Sequence, residues 1–392
     1  MMSELLESRW VDTKNALLEG LQGNKKSVMA ATLENTRKYL SESATAGATS
    51  AGNVATLNRV ILPVIRRVMP TVIANELVGV QPMTGPVGQI HTLRVRYSDT
   101  AGTGASGATA GEEALSPFKI AEAYSGNTTT GRADSTAALE GAAGNRLSIQ
   151  ILKQTVEAKT RKLSARWTFE AAQDAQSMHG IDVEAEIMAA LAQEITAEID
   201  QEVLNSLATL AGTAAETYDQ AAVSGTATFV GDEHAALAVQ INRVSNLIAQ
   251  RTRRGAGNWA VVSPFALTIL QSATTSAFAR TTEGTFEAPT NTKMVGTLNN
   301  AMKVYVNTYS SDAAPVLIGY KGSSESDAAA FYCPYIPLMS SGVVLDPGTF
   351  EPTVSFMTRY GYVELNNTAS SLGNAADYLG KVAITNGNVS FS

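Results

Sequence analysis

The feature that most constrains this chain is a stretch of 47 residues, 99–145, that is too poor in apolar side chains to form a core of its own. Most of its residues are small or polar, and its five large apolar side chains are Leu115, Phe118, Ile120, Tyr124 and Leu139. Long loops without structure are rare in compact domains, and those that occur are usually functional or mobile. Two interpretations therefore remain open: a disordered loop, or a long two-stranded arm that becomes ordered against a partner.

Hydrophobic periodicity predicts ordered elements on both sides of this stretch. Residues 90–97 and 163–169 alternate apolar and polar side chains, and each pattern predicts a half-exposed strand. A long helix is predicted over residues 181–211, because its apolar residues recur at every fourth position and its first turn is acidic. The pattern further predicts a helix at 236–253, strands at 258–264, 303–307, 316–320, 328–332 and 354–362, and a polar tail ending at Ser392.

Composition bounds the class of protein. A length of 392 residues suggests two or three substructures, and a formal net charge of -7 argues against a broad basic face for nucleic acid. Cys333 is the only cysteine in the sequence, so we expect a small buried hydrophobe rather than a disulfide or a thiolate metal site. The N-terminus is charged where a signal peptide would be apolar, and no run of about 18 apolar residues occurs. We therefore expect assembly in a reducing cytoplasm and no membrane partner.

The motifs that an enzyme would need are weak or missing. The sequence GTGASG, residues 102–107, matches a dinucleotide-binding pattern, but no amphipathic helix follows it and Pro117 soon intervenes. His91, His179 and His234 are too far apart in sequence for a local metal-binding pair. We expect no catalytic residue, no metal and no cofactor. A nucleotide-dependent enzyme is kept as an alternative hypothesis.

The densest positive cluster is RTRRGAGN, which contributes Arg251, Arg253 and Arg254. Basic residues near a helix C-terminus complement the helix dipole, and Gly255 would cap that helix. The other interpretation is contact with DNA phosphates or with an acidic patch on a neighbouring copy.

Five stretches, in order along the chain, resemble the major capsid proteins of tailed phages of the T-even kind. They are VGVQPMTGPVGQI (78–90), VEAKTRKLSARWTFEAAQDAQSMHGIDVEAEI (156–187), RTRRGAGN (251–258), GYKGSSESDAAAFYCPYIPL (319–338) and FMTRYGY (356–362). The resemblance extends from about residue 57 to residue 362. It implies the Hong Kong 97-type capsid fold, an α+β fold with an N-terminal arm, an extended β-hairpin (the E-loop), a peripheral domain with a long spine helix, and an axial domain.

The resemblance also implies a division of the chain. Residues 1–56 would be an N-terminal helical segment and arm that embraces a neighbour, with a linker at 41–56, and residues 90–144 would be the E-loop reaching over a neighbouring subunit. The corner from which the E-loop leaves would be residues 78–90. The peripheral domain would comprise 57–89, 145–212 with the spine helix, and 350–392 with a return strand and a C-terminal tail; the axial domain would be 213–349.

Function and partners follow from the same resemblance. The protein would be a major capsid (shell) protein that forms hexamers, with pentamers left open, contacts neighbouring capsomers and encloses double-stranded DNA without reading its sequence. Scaffold, portal, prohead protease and decoration proteins would be further partners, with assembly in the bacterial host cytoplasm and a final place in the virion capsid. Family proteases cleave after Glu in a Leu/Ile-x-Glu setting, so Glu42 is a candidate cleavage site, with retention of the segment as the alternative. An encapsulin-like compartment shell, which shares the fold, is the alternative function.

Overall fold

The structure is a computed structural model in which two compact units are distinguished. It describes residues 10–11, 14–19, 21, 23–45, 72–101, 107–112, 114, 124–127, 132–140, 144–179, 182–220, 230–252, 254–273, 278–280, 293–299, 301–311, 313–349, 351–365 and 375–385. Unit 1 takes its residues from Met1–Gly88, Val156–Asn205 and Phe331–Val363, and unit 2 from Gln89–Thr155, Ser206–Ala330 and Glu364–Ser392.

Helices and strands alternate irregularly along the chain, which confirms the predicted α+β class. They are α1 (Gly23–Thr45), α2 (Ala74–Leu77), β1 (Gly79–Val80), β2 (Val87–Tyr97), α3 (Thr136–Leu139), β3 (Leu147–Glu157), β4 (Lys159–Arg166), α4 (Phe169–His179), α5 (Val183–Leu210), β5 (Glu216–Asp219), α6 (Val230–Thr252), β6 (Trp259–Val262), α7 (Pro264–Ser272), β7 (Phe278–Arg280), β8 (Lys293–Leu298), β9 (Met302–Val306), β10 (Val316–Gly319), β11 (Ala330–Ser340), β12 (Val344–Leu345), β13 (Pro352–Glu364) and β14 (Leu379–Thr385). Among the described helices, none has the length and apolar character needed to cross a membrane.

Unit 1 is built on a five-stranded sheet in the order β1-β11-β13-β12, with β4 also paired to β13. Antiparallel pairing places Leu163 of β4 opposite Phe356 of β13. The alternation predicted for β13 is confirmed, because every second side chain is buried: Val354, Phe356, Thr358 and Tyr360. The long helix is confirmed as α5. The Asp182 carboxylate accepts the N–H of Glu184 at its start, 3.1 Å away.

Unit 2 contains a seven-stranded sheet in the order β5-β14-β10-β6-β9-β8-β7. Helix α6 lies against β5, β10 and β14, and α7 lies against α6. The core between helix and sheet includes Leu237, Ile241, Val244, Ile248, Val262, Val304, Ile318 and Val382. At Gly319 the ring of Trp259 occupies the space that a β-carbon would need, so the sheet requires glycine at this point.

Local capping explains two helices that periodicity did not predict. The strand predicted at 163–169 ends at Arg166, and α4 then begins where Thr168 Oγ1 accepts the N–H of Ala171. Helix α7 begins after Ser263, whose side chain accepts the N–H of Ala266, with Pro264 in the first turn.

Other differences concern strands and boundaries. The predicted polar tail is wrong for β14, which is buried between β5 and β10 because its alternate residues Val382 and Ile384 are apolar. Strand β3 was not predicted, and β11 continues to Ser340, well beyond the predicted 328–332. Helix α1 continues to Thr45, into the predicted linker. Residues 46–71 lie outside the described part. The peripheral and axial ranges stay predictions.

Candidate functional site

Strands β2 and β3, which flank the apolar-poor stretch, form a two-stranded ribbon that pairs with no other described strand. At one end the N–H of Ser98 donates to the carbonyl of Arg146 at 2.9 Å, and at the other the N–H of Ala158 donates to the carbonyl of Pro86 at 2.9 Å. These bonds at opposite ends correspond to antiparallel strands. Both strands lie outside residues 99–145, so the two interpretations of that stretch stay open.

Contacts at the end of the ribbon order part of the stretch that follows. The rings of Tyr97 and Tyr124 lie 4.4 Å apart between centroids, and the Tyr124 hydroxyl donates to the carbonyl of Arg146. The main-chain N–H of Arg146 donates to Asp99 Oδ2 at 2.8 Å. Hydrogen bonds from the side chain and main chain of Arg146 lower the pKa of Asp99. A small buried cluster therefore forms here without a large apolar core.

One face of the ribbon carries exposed apolar side chains. Uniform antiparallel pairing between the two ends places Leu93 opposite Ile151 on the same face as Leu147 and Ile149. Their exposed fractions are 65% for Leu93, 54% for Leu147, 69% for Ile149 and 67% for Ile151. Contiguous exposed apolar surface usually marks an interaction site, and an isolated two-stranded hairpin is marginally stable in water. We name these four residues the apolar row, and they form the candidate functional surface.

Part of the predicted basic cluster contacts other residues of unit 2. Arg254 Nη1 and Asp327 Oδ1 form an ion pair at 2.7 Å, and the Tyr378 hydroxyl donates to the same oxygen at 3.4 Å. Tyr378 and Asp327 raise the pKa of Arg254, against the effect of burial. Arg251 is half-buried in the last turn of α6, where it complements the helix dipole. Arg253 lies outside the described residues.

Gly255, which was expected to cap α6, does not have the left-handed conformation common at such caps, because its φ is not positive. A β-carbon there would instead lie 2.6 Å from Tyr320 Cε2, so glycine permits close packing on that ring. The Asn258 side chain donates to the Lys321 carbonyl at 2.6 Å and accepts its N–H at 3.0 Å. Two of the five stretches that carried the resemblance, 251–258 and 319–338, therefore meet in space.

The candidate enzymatic residues that the structure describes lie in different surroundings. Within the described ranges, no group of three His, Cys, Asp or Glu residues could hold a metal ion. His91 is exposed on β2, whereas His234 is buried with its Nδ1 hydrogen-bonded to Ser272 Oγ. The His179 side chain and residues 102–106 lie outside the described part. Cys333 is buried as expected, and burial raises the pKa of its thiol to about 11.

A polar network in unit 1 was missed by sequence reasoning. Arg161 of β4 contacts Glu198 at 2.7 Å and Glu202 at 2.5 Å, and its Nε donates to the Tyr360 hydroxyl at 2.6 Å. Burial disfavours the charged guanidinium, but its bonds to Glu202 and Tyr360 outweigh burial and raise the pKa of Arg161. Glu198 and Glu202 lie four residues apart, a spacing that puts both on one helix face. The four-residue spacing of the two glutamates was the signal that the sequence offered for this network. It does not show which strand supplies the arginine.

Comparison with known families decides the identity. A family model, described as "Major capsid protein Gp23", matches residues 54–384. This chain belongs to the Gp23 family of major capsid proteins. Similar curated proteins are the major capsid proteins of Vibrio phage KVP40 (28% identical over 83% of this chain and 80% of the relative), Enterobacteria phage T4 (29%, 86% and 80%) and Salmonella phage ViI (27%, 92% and 90%).

Solved structures similar to this Gp23-family protein also come from phages. One is a chain of Microbacterium phage Oxtober96, 12% identical, with a TM-score of 0.46, covering 80% of this chain and 90% of that chain. Another comes from the capsid of Myoviridae phage XM1, 10% identical, with a TM-score of 0.45, covering 80% and 92%.

Membership confirms the resemblance to T-even capsid proteins, and the function is that of a major capsid protein of T4-like tailed phages. The encapsulin-like alternative is not favoured, because the curated relatives are phage capsid proteins. The Gp23 family is structural and its place is the virion capsid, so the chain acts in an oligomeric shell. Of the predicted sites, Glu42 lies within α1 with its side chain outside the described part, and its cleavage stays a prediction.

Proposed function

We propose that this Gp23-family protein forms hexameric capsomers in which the apolar row of one copy lies on a neighbouring copy. The observation that carries the proposal is the row itself: four large apolar side chains, each more than half exposed, on a ribbon that no other described strand pairs with. A shell protein removes such surface from water by burying it between copies.

The energetics favour this arrangement. Fully burying one Leu or Ile side chain contributes about 1.5–3 kcal/mol, and part of that gain is offset by the entropy lost on association. A ribbon on one copy and a receiving surface on the next make a head-to-tail contact, which closes into a ring when the rotation between copies allows it. Many modest contacts of this kind would close a shell.

The remaining partners and the assignment of domains are part of the same proposal. The ribbon with the stretch between its strands would be the E-loop, unit 1 the peripheral domain, and the seven-stranded sheet the axial domain. Capsomers would contact neighbouring capsomers, with pentamers as the open alternative, and enclose double-stranded DNA without sequence reading, which the net charge of -7 supports. Scaffold, portal, prohead protease and decoration proteins would act in the host cytoplasm, and the chain would have no catalytic role.

Two predicted sites take proposed roles in the same process. Cleavage after Glu42 would require the end of α1 to unwind, because proteases bind their substrates in extended form and Glu42 lies inside Gly23–Thr45. Arg254 keeps 57% of its side chain exposed although it is paired with Asp327. That exposure supports a second contact, with DNA phosphate or with a neighbouring copy, made together with Arg251 and Arg253.

The test is a matched pair of charge substitutions on the two faces of β3. Ile151→Lys places a cation in the apolar row, whereas Gln150→Lys places the same charge on the neighbouring, exposed residue of the opposite face. We expect the Ile151→Lys variant to fold but to form no particles in electron microscopy. In size-exclusion chromatography it should elute as small, unassembled species. Gln150→Lys should assemble like the parent.

The outcomes separate the alternatives. Normal particles from Ile151→Lys would overturn the role of the apolar row. Loss of assembly in both variants would show that an added charge on either face of β3 is not tolerated, which also contradicts a contact made by one face. Circular dichroism of each variant establishes that assembly, and not folding, has changed.

A further inference from the structure

We propose that helix α1 is a clasp on the corner between β1 and β2, and that Asn35 is the positioning residue that closes it. The Asn35 carboxamide donates to two main-chain carbonyls, that of Met83 at 2.7 Å and that of Tyr335 at 3.3 Å. A carboxamide has two N–H donors, so both are engaged. One side chain thereby joins α1, the corner and β11, three segments that are far apart in sequence.

The corner needs this help because its own backbone pairing ends early. Strand β1 is two residues long, and its parallel pairing with β11 is extended by bonds from the Gln81 N–H to the Tyr332 carbonyl, 3.1 Å, and from the Met83 N–H to the Pro334 carbonyl, 3.0 Å. Pro334 has no N–H and cannot return the reciprocal bond of a parallel ladder. Asn35 supplies donors at the point where the ladder stops.

Apolar packing seats the clasp, and an ion pair lies at its partly exposed edge. Four residues on two successive turns of α1 are almost completely buried in unit 1: Val28, Met29, Thr32 and Leu33. Lys25 forms an ion pair with Glu76 of α2. Met83, whose carbonyl Asn35 holds, packs its side chain beside Gly88 near the start of β2 and beside Gly361 of β13. The clasp thus contacts the residue around which the corner is packed.

The clasp goes beyond what family membership supplies. The residues that form it, 25–35, precede the range 54–384 that matches the Gp23 family. The part of the chain before the family range is therefore more than a free arm here, since it holds the corner where the chain leaves β1 for β2. Residues 25–35 are packed on other residues of unit 1 of the same chain, and the expectation that residues 1–56 embrace a neighbour stays a prediction.

Amide hydrogen exchange of the full-length protein tests the proposal. Asn35→Ala removes both bonds while raising intrinsic helix propensity, so faster exchange cannot come from a weaker helix. We expect the N–H groups of Gln81, Met83 and Ala158 to exchange about tenfold faster, the factor expected for the loss of hydrogen bonds to partly buried carbonyls. Amides in the middle of α5 should keep their parental rates.

Two further variants complete the test. Lys25→Ala removes the partly exposed ion pair on the same helix and should leave the corner amides unchanged. Asn35→Asp keeps the shape but sets a carboxylate against two carbonyls, and should accelerate exchange more than Asn35→Ala. Parental corner rates in Asn35→Ala would overturn the proposal. So would an equal rise in the corner and in α5, which would make α1 a general part of the core. Because the readout is local and precedes assembly, either result is independent of capsomer formation.

Discussion

The carboxylate of Asp200, inside helix α5, accepts the main-chain N–H of Ile73 at 2.8 Å, while its other oxygen is buried without a hydrogen-bond partner among the described residues. Ile73 stands at the start of α2, which no side chain of its own segment caps. The spine helix therefore supplies the acceptor. Asp200 is 1% exposed, and burial raises its pKa to about 7, with the Ile73 N–H opposing that rise.

This buried carboxyl predicts a stability that falls with rising pH. The unfolded carboxyl titrates near its ordinary value of about 4, so between pH 4 and 7 the folded state holds the proton more tightly. The contribution of Asp200 is greatest below the unfolded pKa and is lost as pH rises through about 7. Asp200→Asn should remove this dependence and leave the unassembled variant more stable at pH 8, by on the order of a few kcal/mol, in urea titrations. Tyr332, which interacts electrostatically with Asp200, is unchanged in the variant.

A control on the same helix separates burial from charge removal. Glu194→Gln also removes a carboxylate from α5, but at an exposed position. It should change the free energy of unfolding by less than about 0.5 kcal/mol at each pH. Equal pH profiles for Asp200→Asn and the parent would contradict a titrating Asp200.

The network around Arg161 predicts a coupled loss of stability. Arg161→Met should lower the free energy of unfolding by roughly 1–3 kcal/mol, because Glu202 and the Tyr360 hydroxyl lose a charged donor. Tyr360→Phe keeps the ring and should lose about 1 kcal/mol. Chemical denaturation of the double variant should show less than the sum, since both changes break one network.

A second arginine on β4 provides the matched control. Arg166 is 3.6 Å from Glu351, and 71% of its side chain is exposed. Arg166→Met should therefore change stability by less than about 0.5 kcal/mol. If the two methionine variants were equally destabilised, the network would contribute nothing beyond an ordinary surface pair.

The close contact of Gly319 with Trp259 predicts a large effect from one methyl group. Gly319→Ala should lower the thermal unfolding temperature strongly, with a loss of several kcal/mol, because the indole and the buried strand β10 leave no room to shift. Gly348→Ala is the control, since the nearest atom to its β-carbon would be Asp346 Oδ1 at 3.5 Å. Calorimetry that gave similar values for both would show that Trp259 can move aside.

The ion pair of Arg254 predicts an asymmetry between its partners. Asp327 is 15% exposed in its side chain and also accepts from the Tyr378 hydroxyl, whereas Arg254 is largely exposed. Asp327→Ala should therefore destabilise unit 2 by about 1–3 kcal/mol, and Arg254→Ala by less than about 1 kcal/mol. Thermal unfolding in low and high salt checks this, and the Arg254 contribution should shrink as salt rises. A larger loss from Arg254→Ala would reverse the argument.

The local sequence pattern was sufficient to predict the elements that can be recognised without knowing what they pack against. Helix α5 follows from four-residue spacing and an acidic first turn, and β13 from the alternation that runs from Val354 to Tyr360. Strand β14 was missed because LGKVAIT is short and lies in a polar context, so only its position inside a sheet explains its burial. Contacts between distant residues were beyond reach: Asp200 and Ile73 are 127 positions apart, and Arg254 and Asp327 are 73 apart. The apolar row could have been found from the alternation of Leu147, Ile149 and Ile151, but not its exposure.

The position of β14 has a consequence during synthesis. Among the described strands β14 is the last in sequence order, yet it lies between β5 and β10 in the interior of its sheet. It pairs in parallel with β5 and antiparallel with β10. While the ribosome is still adding residues, β5 and β10 have no strand between them, and their inner edges wait for residues 379–385. A nascent copy therefore cannot complete its seven-stranded sheet until residues 379–385 have been synthesised.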